Sequence, residues 1–258
     1  MQKNRYKSIF ISDVHLGTKF SQADKLLDFI KYNESDNLYL VGDIIDGWAI
    51  KQKFRWKQSN SDVIQKILRS ARKATNVYYI IGNHDDFLRS FLPLLLGDNL
   101  TIINDMDYHS IDGKKYFVTH GDIFDSMTIT KKWLTIFGDM GYDFLLHFNP
   151  IINFIRRKFG IKRYWSLSAQ LKDNLRKSLH FIEDYENIST QYTKHTGYDG
   201  VICGHIHKAD IKTINGVEYK NTGDWVESCT ALVETFDGEW KIINWLGELP
   251  LAKELEAS

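Results

Sequence analysis

Five times along this chain a short apolar run stops at a cluster of carboxylate, imidazole or amide side chains. The clusters are Ile11-Ser12-Asp13-Val14-His15, Val41-Gly42-Asp43-Ile44-Ile45-Asp46, Ile81-Gly82-Asn83-His84-Asp85, Thr119-His120-Gly121-Asp122 and Cys203-Gly204-His205-Ile206-His207. Runs of this length, rich in Ile, Val, Phe and Tyr, read as buried strands. Polar residues just beyond the carboxyl ends of strands in an α/β sheet line the crevice where such folds bind ligands. A single aspartate after a strand more often caps a helix or forms a turn. Five such clusters, most with an adjacent glycine, point instead to one shared site assembled from scattered segments.

The segments between the clusters fit that frame. Strands are expected over Ser8–Ile11, Leu38–Val41 and Val77–Ile81, and helices over Ala23–Tyr32 and Asp62–Ala74; in the second helix Val63, Ile64, Ile67, Leu68 and Ala71 fall at helical spacing. The stretch from Trp48 to Trp56 reads as a loop rich in Trp and Lys. Asp112-Gly113, Asn215-Gly216 and Asp237-Gly238 each sit between apolar runs, the pattern of tight hairpins, so the far end is expected to be mostly sheet. Between about 125 and 197 the texture changes to long amphipathic segments, with one dense apolar run from Phe144 to Ile155. This stretch reads as a helical cap insertion in a single domain covering residues 1–258, since no linker rich in Pro, Gly or Ser marks a second domain.

Composition narrows the function classes. Lys+Arg 33 against Asp+Glu 33 leaves a formal net charge of +0, which argues against a nucleic-acid partner. The two cysteines, Cys203 and Cys229, are too few for a disulfide framework and fit a reducing cytoplasm. The opening residues lack the apolar core of a signal peptide, and no run of about 18 apolar residues suggests a membrane-spanning helix.

Carboxylate, imidazole and amide oxygen together suit manganese, iron, zinc or nickel better than calcium or magnesium. A bridging aspartate can hold two such ions about 3.5–4 Å apart, and that pair activates a shared water and clamps an in-line displacement at phosphorus. Phosphoryl transfer is therefore the expected chemistry. His109, His147, His180 and His195 lie outside the clusters and receive no role.

Taken together, Asp13-x-His15, Gly42-Asp43-x-x-Asp46, Gly82-Asn83-His84-Asp85, His120-Gly121-Asp122 and Gly204-His205-x-His207 resemble the complete signature of the calcineurin-like metallophosphoesterases. The resemblance implies a sandwich of two mixed β-sheets flanked by helices, and two divalent ions, manganese foremost. It implies that Asp13, His15 and His207 hold the first ion, that Asp43 bridges, and that Asn83, His120 and His205 hold the second. His84, beside a ligand, would then face the substrate, and Asp46, Asp85 and Asp122 would fix ligand orientation from behind.

Within that family the chain is similar to the group that includes the UDP-2,3-diacylglucosamine diphosphatases of lipid A synthesis. The likeness extends to Phe10–Gly17, to Asp46-Gly47-Trp48 and to Asn221–Ser228, although members of that group carry arginine where this chain has His84. A lipid nucleotide or related diphosphate is thus the expected substrate. Arg156, Arg157, Arg163 and Trp165 of the insertion are candidate substrate contacts, and its apolar run beside basic residues is a candidate for contact with the inner face of the membrane, for homodimer formation, or for simple internal packing. Tryptophans Trp48, Trp56 and Trp165 are candidates to stack on a base. Two other readings stay open: a phosphodiesterase acting on a nucleotide or nucleic acid, and a non-catalytic metal-dependent binding protein.

Overall fold

The computed structural model describes residues 3–125 and 167–246, so Arg156, Arg157, Arg163 and Trp165, along with His147 and the apolar run from Phe144 to Ile155, lie outside the described residues. The described residues form twelve strands: β1 (Asn4–Ile11), β2 (Asn33–Val41), β3 (Asn76–Ile80), β4 (Leu94–Leu95), β5 (Leu100–Ile103), β6 (Asp105–His109), β7 (Lys115–Thr119), β8 (Gly200–Cys203), β9 (Asp210–Ile214), β10 (Val217–Asn221), β11 (Thr230–Glu234) and β12 (Trp240–Asn244). The α-helices among them are α1 (Ala23–Tyr32), α2 (Gly47–Gln52), α3 (Gln58–Arg72) and α4 (Leu167–His195).

Two mixed sheets result. The larger has the order β12-β11-β1-β2-β3-β5-β4 and the smaller β6-β7-β8-β10-β9. β1, β2, β3 and β5 pair in parallel, as do β7, β8 and β10, while the outer strands of both sheets add antiparallel. All three expected hairpins form, joining β6 to β7, β9 to β10 and β11 to β12.

The period-2 alternation of strand side chains separates two cores. Ile9, Ile11, Leu38, Leu40, Ala231 and Val233 face one way, into a cluster with Leu26, Phe29, Val63 and Ile67 of α1 and α3. Their chain neighbours Phe10, Tyr39, Val41 and Leu232 face the other way and meet Tyr108, Tyr116, Val118 and Ile202 of the smaller sheet. Phe10 lies at the centre of this second core, stacked on Tyr39 at 4.4 Å and edge-on to Tyr108 at 5.2 Å. On the outer face of the smaller sheet, Phe117 packs against Tyr192 in the last turns of α4, with ring centroids 5.7 Å apart.

The reading of 48–56 as a loop needs correction, because Gly47–Gln52 is helical. The Asp46 side chain accepts a hydrogen bond from the Ala49 backbone N–H and caps that helix, so a carboxylate assigned to the site also starts an element.

Compactness divides the chain into Met1–Ile123 with Ser189–Ser258, which contains both sheets, and Phe124–Ile188, in which the ring of Phe124 meets Tyr185 edge-on at 5.8 Å. The polypeptide thus leaves after β7 and returns from Ser189, ahead of β8, and β7 and β8 pair directly in parallel. Among the described residues no helix is long and apolar enough to cross a membrane.

Candidate metal centre

The five clusters sit where the alternation of strands predicts, each at the carboxyl end of its strand: Asp13 and His15 after β1, Asp43 and Asp46 after β2, Asn83, His84 and Asp85 after β3, His120 after β7, His205 and His207 after β8. Backbone bonds tie the first two together. Gly42 C=O accepts from Asp13 N–H, and Asp43 C=O accepts from the N–H groups of both Val14 and His15. Asp13, His15, Asp43, His205 and His207 all adopt positive φ, between 49° and 71°. For residues other than glycine this left-handed region is sparsely populated, and strain of this kind gathers at functional sites.

Asp43 lies at the centre. Its Oδ1 accepts the His84 backbone N–H at 2.9 Å, while Oδ2 stands 3.3 Å from His120 Nε2, 3.8 Å from His15 Nε2 and 3.9 Å from His84 Nε2. Asp13 Oδ1 is 3.2 Å from His207 Nε2 and 3.9 Å from His15 Nε2. Two groups of potential ligand atoms follow, Asp13 with His15 and His207, and Asp13 with Asp43 and His120. His205 Nδ1 lies 3.3 Å from His120 Nε2.

Hydrogen bonds fix the ring tautomers. His120 Nδ1–H donates to the Val41 carbonyl at 2.9 Å, which turns Nε2 toward Asp43. His15 Nδ1–H donates to Asp46 Oδ2 at 3.1 Å, which likewise turns Nε2 inward. A third group, His15 with Asp46 and His84, is explained by the same carboxylate: His84 Nδ1 lies 2.9 Å from the oxygen that His15 uses.

Burial raises the Asp13 carboxyl, but the imidazoles of His207, His120 and His15 hold it well below the usual carboxylate range. Asp43 shows the same balance, burial against His120, with a lowered net value. Burial disfavours the charged imidazoles, yet Asp43 and Asp13 carry His120 up to about 10, and Asp13 carries His207 up to about 9. The two carboxylates therefore favour positive charge on the imidazoles beside them.

The residues fit metal ions on a separate observation. Asp13 Oδ1, His15 Nε2 and Asn83 Oδ1 are buried without a hydrogen-bond partner. Buried polar atoms almost always have one, and these three are lone-pair donors of the types that borderline divalent ions accept.

The outer carboxylates divide the work. Asp46 contacts the two imidazoles. Asp85 instead holds the loop carrying Asp43, accepting from Ile44 N–H at 3.0 Å, Ile45 N–H at 2.8 Å and the Tyr79 hydroxyl at 2.7 Å. Burial and the neighbouring Asp43 push Asp85 up to about 6. Asp122 turns away to Arg89 Nη2 at 2.7 Å. Trp48 lies against His84, with ring centroids 4.3 Å apart.

Sequence reasoning assigned no role to Tyr79, Ser12, Asn221 or Thr222. Asn221 Nδ2 donates to the Gly204 carbonyl at 2.8 Å, and Trp225 N–H donates to the Asp13 carbonyl at 3.0 Å, so the segment after β10 backs the site. The only advance signal was the conspicuous Asn221–Ser228 stretch.

The chain is similar to several known proteins. UDP-2,3-diacylglucosamine hydrolase of Neisseria meningitidis strain MC58 is 23% identical over 239 residues, covering 89% of this chain and 94% of that one. The same-named protein of Porphyromonas gingivalis is 23% identical over 256 residues, covering 86% and 91%. That of Blochmanniella pennsylvanica is 33% identical over 118 residues, and this match spans less than half of either protein, 45% and 46%. Among solved structures, YfcE, a phosphoesterase from E. coli, aligns over 92% of this chain and 98% of its own at 14% identity and a TM-score of 0.44. The family profile of the calcineurin-like phosphoesterases matches residues 6–209. With that profile spanning most of the chain and all five clusters, the protein belongs to the calcineurin-like phosphoesterases, metal-dependent hydrolases of phosphoester and pyrophosphate bonds.

Proposed function

We propose that the protein is a dinuclear phosphoesterase, loaded with manganese, that hydrolyses the pyrophosphate of UDP-2,3-diacylglucosamine or a related lipid nucleotide. The observation that carries the reading is the set of buried, unpartnered donor atoms, Asp13 Oδ1, His15 Nε2 and Asn83 Oδ1, around the central Asp43 carboxylate. Asp13, His15 and His207 would hold one ion, Asn83, His120 and His205 the other, and Asp43 would serve both. When bound, such a pair supplies a nucleophilic water at neutral pH and neutralises charge on the phosphoryl oxygens.

His84 would be the residue that meets substrate. Asp46 faces its Nδ1, and Trp48 covers one face of the ring, leaving Nε2 on the Asp43 side. From there it can donate a proton to the leaving oxygen or a hydrogen bond to a phosphoryl oxygen. Arg156, Arg157, Arg163 and Trp165 complete the proposal on chemistry alone, guanidinium groups pairing with phosphate oxygens and an indole with a base. The shared name of the relatives supports the choice of substrate.

The test is UMP release from UDP-2,3-diacylglucosamine by manganese-loaded protein, beside a small chromogenic phosphodiester. Strong preference for the lipid nucleotide supports the assignment. Turnover of the chromogenic ester alone keeps the metal centre and removes the substrate.

A further inference from the structure

We propose that Ser12 and Thr222 form a two-hydroxyl relay that decides which oxygen of Asp13 faces the metal centre, so that both are positioning residues for the ion held by Asp13. The inference rests on the metal-centre reading above and adds to it residues from outside the five clusters' ligand set.

Ser12 and Thr222 are both fully buried, 210 positions apart in sequence. Ser12 Oγ contacts Asp13 Oδ2, lies 2.5 Å from Thr222 Oγ1 and 3.0 Å from the Gly223 carbonyl. A hydroxyl has one proton to give, and a carboxylate oxygen can only accept. The charge-assisted bond to Asp13 is the strongest use of the Ser12 proton. Thr222 Oγ1 also lies 3.3 Å from the Cys203 carbonyl, but the 2.5 Å contact with Ser12 Oγ is the shorter, so in the relay Thr222 gives its proton to Ser12, which keeps that oxygen a better donor toward the carboxylate. The His205 backbone N–H adds a second bond to the same Asp13 Oδ2 at 3.0 Å.

The two oxygens of one carboxylate are thus treated oppositely. Oδ2 receives two protein donors, whereas Oδ1 is buried, receives no hydrogen bond and stands 3.2 Å from His207 Nε2. The backbone is built to allow this. A Cβ at Gly204 would collide with Ser12 Oγ and Asp13 Oδ2, so the close approach requires glycine there. Thr222 N–H donates to the Cys203 carbonyl at 2.9 Å, which anchors the relay to the strand end that carries His205. A buried serine seeking any partner would be satisfied by the Gly223 carbonyl alone; the relay makes the further claim that its proton serves the ligand.

Full-length protein is stripped with chelator and titrated with manganese by calorimetry as wild type, Ser12→Ala, Thr222→Val, Thr222→Ser and the double variant Ser12→Ala/Thr222→Val. Wild type is expected to bind two ions. Ser12→Ala should weaken one of them by about 10- to 100-fold and leave the other unchanged. Thr222→Val should act in the same direction, Thr222→Ser should restore binding, and the double variant should bind no worse than Ser12→Ala, because Thr222 acts through Ser12. Independent structural effects would add instead, and additive losses overturn the relay. Wild-type affinity for both ions in Ser12→Ala and Thr222→Val overturns it as well. A wild type that binds no manganese overturns the metal-centre reading first, and the relay with it.

Discussion

Replacing Asp43 with asparagine preserves shape and removes the charge that faces His15, His84 and His120. Bound metal and turnover should then fall together, which metal analysis of the purified variant beside an esterase assay would check. His84→Ala should separate the two: full metal content with turnover lowered by about 10²- to 10⁴-fold, the usual contribution of a positioned proton donor. An unchanged rate would take His84 out of the mechanism. Gly42 is a case where geometry forbids a side chain. Its φ is +80°, and a Cβ there would collide with the His120 ring. Gly42→Ala should therefore displace that imidazole and lose metal even though no ligand is altered, a result to be read by manganese titration with circular dichroism as the control for folding.

Among the elements, β10 carries the clearest pH dependence. Burial raises Glu218, but Lys114, Lys220 and Tyr116 bring it from the ordinary 4.5 down to about 2. Lys220 is itself buried, with its ammonium 4.5 Å from the Tyr116 ring centroid and 4.8 Å from that of Trp240. Because the folded value lies below the unfolded one, the stabilisation is complete above about 4.5 and lost as pH falls toward about 2. Urea midpoints measured across that window should drop more steeply for wild type than for Glu218→Gln; equal slopes would show that the pairing contributes nothing. The elements also show what a sequence can and cannot disclose. α1 was legible to the residue, because Leu26, Phe29 and Ile30 repeat at helical spacing, and the hairpins were legible from their Asp-Gly and Asn-Gly turns. The first half of β2, Asn33–Asn37, was not, since its polar residues carry no apolar alternation and are held by register with β1 from Asn4↔Asn33 onward. α2 was hidden for a similar reason: its start depends on one carboxylate that a motif reading had assigned elsewhere. The clusters could be read as one site because each ends an apolar strand, but the partners of Asp85 and Asp122 depend on tertiary contacts that leave no spacing in the chain.

For the whole molecule, the sheet-to-sheet core places the strand ends of both sheets around one centre. Phe10→Ala, which opens that core, should cost about 3–5 kcal/mol by urea denaturation. The connection between β7 and β8 leaves the chain's first compact unit and returns to it, so it divides the proposed ligands. Asp13, His15, Asp43, Asn83 and His120 precede it, and His205 and His207 follow. A polypeptide cut within that excursion gives two pieces, neither with a complete coordination set. Manganese capture by the mixed pieces, absent from each alone, would then serve as a complementation signal that reports their reunion.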